Sequence, residues 1–266
     1  MLILGTKVKN TATFASNTKI GECFCLVQRG HEECGDSAFV YMDDKKAILG
    51  VFDGVSGEPG AASASSLAAS TLLTYLKKYD KADEKLIQKA FSDVNKKIKH
   101  GYTTATICFI SKDGSTIVAG VGDSPIYGIN DNVVLELPLG RIVEDQHSIF
   151  KYFYFRNIVT SVLGPLGSDI HIHTREGKLK KGDLLILATD CLNDNLYVKI
   201  REGYLTDCSG TEDLKNIIGK TKKPKLIVEK LVKEIKKRIK NGKVQLDDRM
   251  YVPKEDDLAI IAFRFK

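Results

Sequence analysis

AILGVFDGVSGEPG, residues 47–60, sets an apolar run directly against an acid and then strips side chains away from it. Residues 47–52 read as a buried strand; Asp53 ends it, Gly54 follows at once, and Gly57 and Gly60 come close behind. Two readings are open. Asp-Gly is a common turn pair, because glycine accepts a positive φ and aspartate bonds its own backbone. A short acid at a strand end can also hold a metal while glycine lets backbone approach closely.

The pattern on either side sets the architecture. Residues 20–28, 37–42 and 46–52 read as successive strands, with DDKK as the turn between the last two. Residues 58–78, rich in Ala, Ser and Leu and with Pro59 at the start, read as a helix that packs closely on a flat surface. A second helix is expected over 83–99, acidic at its start and basic at its end. TTATICFI, STIVAGVG, SPIYGI and NVVLEL then return to strand, with KDGS as a hairpin turn. GDLLILATD and DLAIIAFRF are further apolar strands, whereas 138–168 and 193–223 have no clear period. Hairpin runs with segregated helices indicate α+β, and two antiparallel sheets packed face to face with helices outside would bury this many apolar strands. No repeat or linker divides the chain, so residues 1–266 are expected to form a single domain.

Composition narrows the class. A chain of 266 residues, 43% hydrophobic and 28% charged, suits a soluble globular protein with a sizeable core. It has no apolar run long enough to span a bilayer and no basic region before its apolar start, so a cytoplasmic protein without membrane contact is expected. Cys23, Cys25, Cys34, Cys108, Cys191 and Cys208 form no C-x-x-C pair and read as free thiols. Residues 220–243 carry eleven Lys/Arg against Glu229 and Glu234, with Ile227, Leu231, Ile235 and Ile239 every four residues. That is an amphipathic helix with a solvated basic face, and no aromatic residue interleaves its lysines as nucleic-acid binding would favour.

Asp53 has company. Asp123 ends an apolar strand in TIVAGVGDSP; Asp190 does so in LLILATDCLND, with Asp194 four residues on; Asp36 and the pair Asp256-Asp257 each precede a strand. Acids at five strand ends suggest convergence on one edge. A like-charge pair 4 Å apart costs about 4 kcal/mol at an effective dielectric near 20. No lysine or arginine is expected to pair these acids off, so hard divalent ions with oxygen ligands, Mn²⁺ or Mg²⁺, are the natural partners. Gly54 then matters for a carbonyl that can reach an ion. His171 and His173 read as a surface face, residues 152–155 as a packed segment, and Cys191 as a small packing residue.

In their order, and roughly in their spacing, VFDGVSG, GYTTAT, VAGVGDSPIY, NIVTSVLG, LLILATDCLND and DDLAIIAF resemble the metal-dependent serine/threonine protein phosphatases of type 2C. The resemblance covers residues 20 to 264. It implies a four-layer αββα sandwich, a binuclear Mn²⁺/Mg²⁺ centre with a third ion in bacterial-type members, and phosphoprotein substrates acted on by a monomer. It implies that Asp53 bridges the two ions beside the Gly54 carbonyl, that Asp190 and Asp256 complete one shell, that Asp36 serves the second ion through water, and that Asp123 helps with the third. Residues 193–223 correspond to the variable flap. Departures stand beside the matches: Gly35 precedes Asp36 where many members have Glu, Val55 replaces a histidine, and Asp257 replaces an asparagine. The phosphate-gripping arginine is expected five residues before Asp36, where this chain has His31; Arg29, two residues earlier, is the alternative. A non-catalytic binding module of the same fold and a dedicated phosphatase of a small regulatory protein, of the anti-anti-sigma type, are the rival readings.

Overall fold

The computed structural model describes residues 1–130, 133–137, 161–165, 170–201, 204–207, 210–246, 249–251 and 253–266. Its strands form two six-stranded antiparallel sheets. The first runs β1 (Leu2–Ile3), β4 (Ser37–Met42), β5 (Lys46–Phe52), β6 (Ala105–Ser111), β7 (Ser115–Val121) and β10 (His173–Lys178). The second runs β2 (Thr11–Asn17), β3 (Gly21–Gln28), β16 (Leu258–Phe265), β11 (Leu184–Ala188), β8 (Ile126–Asn130) and β9 (Val133–Leu137). Two small hairpins, β12 (Lys199–Arg201) with β13 (Tyr204–Asp207) and β14 (Val244–Leu246) with β15 (Arg249–Tyr251), stand apart.

Side-chain alternation builds the layers. In β5, Ala47, Leu49 and Val51 enter the core between the sheets, while Ile48 and Phe52 face α1 (Ala61–Leu76) and α2 (Glu84–Asn95). In β16, Ala259, Ile261 and Phe263 enter the same inter-sheet core. Leu258, Ile260 and Ala262 pack instead against the opposite helix layer of α3 (Asp190–Asp194), α4 (Thr211–Ile218) and α5 (Pro224–Asn241). Strands buried on both faces have no polar side to show, which is why they read as unbroken apolar runs. The αββα sandwich is therefore the fold.

Gly50 breaks the apolar run of β5 for a packing reason. The Phe39 ring, 5.6 Å from that of Phe52, lies where a Gly50 side chain would go, and a Cβ there would meet it at 2.7 Å. Small residues in α1 act similarly: Ala64, Ala68 and Ala69 bring the helix down onto the sheet beside Leu72. In α5, Ile227, Leu231 and Ile235 are buried as expected, with the lysines turned outward.

Several boundaries differ from the sequence reading. α1 starts at Ala61, after Gly60 at φ +87°, so Pro59 precedes the helix rather than entering its first turn. The N-terminal β1 and β2 were not legible: β1 has two residues, and β2 alternates Thr, Ala and Ser on a half-exposed edge. Cys23, Cys25, Cys34, Cys108 and Cys191 are free and buried, whereas Cys208 and residues 152–155 lie outside the described residues. Most of 138–168 does too; within 193–223, β12, β13 and α4 provide regular structure. No helix among the described residues is long and apolar enough to cross a membrane.

Gly50→Ala should destabilise the protein by about 1–3 kcal/mol through overpacking against Phe39. Urea denaturation checks this, with Phe39→Leu in the same background expected to recover part of the loss.

Candidate active site

One end of the sandwich gathers the acids. Asp53 leaves β5, and its backbone is held by two threonines of the GYTTAT stretch. Its N–H donates to Thr104 Oγ1 at 3.1 Å, and its carbonyl accepts from the Thr104 N–H at 2.8 Å and from Thr103 Oγ1 at 2.9 Å. Thr104 Oγ1 also lies 2.7 Å from Ser124 Oγ, which fixes the turn carrying Asp123. Across the inter-sheet core, Thr189 joins β11 to β16: its N–H donates to the Ala259 carbonyl at 2.9 Å, and its hydroxyl accepts the Ala259 N–H at 2.9 Å and donates to Asp36 Oδ2 at 2.7 Å. Asp190, the next residue, opens α3. Five strand ends thus deliver Asp36, Asp53, Asp123, Asp190 and Asp256 to one place.

Their electrostatics agree. Burial, followed by the like charges of Asp190, Asp36, Asp123 and Asp256, pushes the Asp53 carboxyl well above its ordinary value. Burial also drives Asp36 upward, opposed by the Thr189 hydrogen bond and reinforced by Asp257, Asp256 and Asp190. Asp53 therefore lies within the fields of the other four acids, and Asp36 within those of Asp190 and Asp256.

Gly54 has a packing reason to be glycine. A Cβ there would meet the Ala61 carbonyl at 2.7 Å and the Gly35 carbonyl at 2.8 Å, so the constraint is the close passage of the α1 N-terminus and the 30–35 loop. Gly35 in turn faces the Gly54 carbonyl, which a Cβ would approach to 3.1 Å. The opening Asp-Gly pair is therefore a site of backbone-to-backbone contact as well as a strand end.

The expectation that no base adjoins the acids is wrong. Lys254 Nζ donates to Asp190 Oδ2 at 2.7 Å, lies 2.8 Å from Asp256 Oδ2 and 3.5 Å from Asp194 Oδ2. Those three acids outweigh burial and raise the Lys254 ammonium well above its usual range. The lysine sits two residues before Asp256 in KEDD, so the signal was present; what was missing was the turn that folds it back over the acids.

Asp256 and Asp257 have separate tasks. Asp256 Oδ1 lies 2.9 Å from His31 Nε2 and accepts the Asp257 N–H. Asp257 turns to the 30–35 loop: Oδ1 accepts the Gly30 N–H at 2.6 Å and the His31 N–H at 3.2 Å, and Oδ2 accepts the Gly35 N–H at 2.6 Å. His31 therefore lies beside the acids with a side chain 48% exposed. Arg29 points elsewhere, bonding the Glu32 carbonyl at 3.1 Å and Asn10 Oδ1 at 3.3 Å.

The donors suit a hard divalent ion: they are carboxylate and carbonyl oxygens, with Asp36 and Asp53 raised by burial and then by like charge. Among the described residues no three His, Cys, Asp or Glu side chains are drawn together as a ready ion site. The ammonium of Lys254 stands between the oxygens of Asp190 and Asp256.

Two outcomes test this geometry. An acid whose folded pKa is raised carries no penalty below its unfolded value, and the penalty grows as pH rises above about 3.9. In EDTA, Asp53→Asn should melt above wild type by a gap that widens from about pH 4 to 7; a constant or reversed gap would contradict the raised Asp53 carboxyl. Asp257→Asn should lose about 1.5–3 kcal/mol, since it replaces one charged acceptor facing a backbone N–H with a donor. That loss should appear in urea unfolding, with faster amide exchange at Gly30 and Gly35.

No known protein-family model matches the chain. Over 199 residues it is 26% identical to the 5-azacytidine resistance protein azr1 of Schizosaccharomyces pombe, a match covering 70% of this chain and 64% of that protein's length. The serine/threonine phosphatase Stp1 of Staphylococcus aureus superposes with a TM-score of 0.68 at 16% identity, covering 99% of this chain and 97% of its own. RsbX, crystallised in complex with magnesium, superposes at 0.61 and 18% identity, covering 96% of this chain and all of its own. At such identities the likeness is one of fold: this chain has the fold of the PP2C, or PPM, serine/threonine phosphatases.

Proposed function

We propose that the chain is a Mn²⁺- or Mg²⁺-dependent phosphatase of phosphoserine and phosphothreonine in proteins, with residues 1–266 as one catalytic domain and 193–223 as a flap beside the site. The observation that carries this reading is the convergence of five strand-end acids at one edge of this particular sandwich. Asp53, with the Gly54 carbonyl, would touch both ions. Asp190 and Asp256 would complete one shell, Asp36 would serve the second ion through water, and Asp123 would bind a third. Bound there, such ions would polarise phosphoryl oxygens and lower the pKa of a bound water towards neutrality. A magnesium complex of RsbX, which shares the fold, supports a hard divalent ion in this type of scaffold.

The chain's own residues supply the positioning. Thr103 and Thr104 hold the Asp53 backbone, and Thr189 orients Asp36. Asp257 ties down the 30–35 loop, which keeps His31 beside the acids with its ring open to solvent. A phosphoryl group arriving at the acid edge would meet His31 first; Arg29 would have to leave Asn10 and Glu32 to reach it. His31 is accordingly the proposed phosphate contact and Arg29 the alternative.

A non-catalytic module of the same fold is the second reading. Lys254 is the observation that favours it, since its ammonium already neutralises Asp190 and Asp256 in part.

Hydrolysis of an aryl phosphate and of a phosphothreonine peptide separates these readings. Activity should require Mn²⁺ or Mg²⁺, vanish in EDTA and fall at least about 100-fold in Asp53→Asn, equal to about 2.7 kcal/mol. No turnover at any metal concentration would favour the module, and full turnover after exhaustive chelation would remove the metal mechanism. His31→Ala should raise KM more than kcat falls, whereas a KM rise confined to Arg29→Ala would transfer the phosphate contact to Arg29.

A further inference from the structure

The position of Lys254 carries an inference of its own. Its Nζ is 2.7 Å from Asp190, 2.8 Å from Asp256 and 3.5 Å from Asp194, so one ammonium, with three protons to donate, serves three carboxylates. Two of them are the acids that the proposed function assigns to one ion, and the inference rests on that reading. The third, Asp194, lies behind them, fully buried at the end of α3.

The placement of the lysine is built rather than incidental. Asn195 caps α3, and its side-chain Nδ2 donates to the Lys254 carbonyl at 2.7 Å and to the Cys191 carbonyl at 2.8 Å. The Asn195 carbonyl accepts from Arg238 of α5 at 2.7 Å. Arg238 is itself clamped by Asp213 and by Glu234, and it stacks 3.7 Å above the Tyr197 ring. The main chain at Lys254 is thus fastened through α3 to the helix layer, and the side chain is aimed at the acids with 27% of its surface still exposed.

An ammonium and a divalent ion compete for the same oxygens. Both are cations, and at about 4 Å the doubly charged ion repels the ammonium more strongly than one carboxylate in contact attracts it. We propose that Lys254 is a built-in counter-cation that a divalent ion must displace from Asp190 and Asp256, so that this one residue sets the metal affinity of the site and stabilises the metal-free fold. On displacement the ammonium keeps Asp194 as its partner or turns to solvent. The consequence is a site that stays folded without metal and loads only above a raised threshold concentration.

The test uses the full chain and reads binding rather than turnover. Calorimetric titration with Mn²⁺ should show Lys254→Met binding at least about tenfold tighter than wild type, equal to about 1.4 kcal/mol. The same variant should melt below wild type in EDTA. Lys254→Arg, which keeps the charge, should stay near wild-type affinity. In the wild type, acetylation of Lys254 followed by mass spectrometry should be slow in EDTA and faster in saturating Mg²⁺. Binding by Lys254→Met no tighter than by wild type would overturn the inference while leaving the metal site in place. Absence of Mn²⁺ binding in both proteins would overturn the proposed function and the inference with it. If Lys254→Met does not fold, the labelling decides: acetylation unchanged by Mg²⁺ overturns the proposal and a rise supports it.

Discussion

Like charge held at the end of a rigid sandwich is the constraint from which this site follows. Asp36, Asp53, Asp123, Asp190 and Asp256 stand at the ends of strands whose other residues are locked in the inter-sheet core, so the acids cannot relax apart without unpacking β4, β5, β7, β11 and β16. Burial, and after it the neighbouring carboxylates, raise the carboxyls of Asp36 and Asp53. A protein that spends folding energy to keep acids together has made a place for positive charge. Lys254 supplies part of it from within the chain, and its single charge leaves Asp36 and Asp53 to face one another.

The supporting residues are as specific as the acids. Thr103, Thr104 and Thr189 are buried hydroxyls that bond the backbone or the carboxylate of an acid in the site, and Asp257 spends its two oxygens on three backbone N–H groups of one loop. Buried polar groups of this kind are costly unless fully bonded. Their satisfaction here gives the site a single geometry rather than a flexible acidic patch. The same logic reaches outward through Asn195 and Arg238, so the basic α5 helix, whose lysines face solvent, also braces the site from behind.

Gly35, where the phosphatases this sequence resembles often carry Glu, has a structural reason to be small, and so does Gly54. Gly54 must be small because the α1 N-terminus crosses it, and Gly35 packs its Cα side against the Gly54 carbonyl. A glutamate at 35 would have to push that carbonyl aside. The chain instead brings Asp257 to bond the Gly35 N–H, and the pair Asp256-Asp257 divides between facing the site and anchoring the loop.

The sequence alone determined the layers, the acids and their common edge. Strands such as 46–52, 184–188 and 258–265 are apolar on both faces, and joined in hairpin runs with segregated helices they fit two packed sheets covered by helices; acids where neighbouring strands end gather on one edge. Short or polar edge strands, β1, β2 and β10, left weak periodicity because an edge buries little. What only the tertiary structure decided was which charges touch. Lys254 is two residues from Asp256 along the chain, yet its meeting with Asp190 and Asp194 depends on β11 lying beside β16 and on Asn195 holding its carbonyl. Arg29 and His31 are likewise near neighbours in sequence, and the three backbone bonds to Asp257 send one ring towards the acids while the guanidinium turns to Asn10. Residue types and strand ends are local properties, but the direction of a long charged side chain is set by partners brought from elsewhere in the fold.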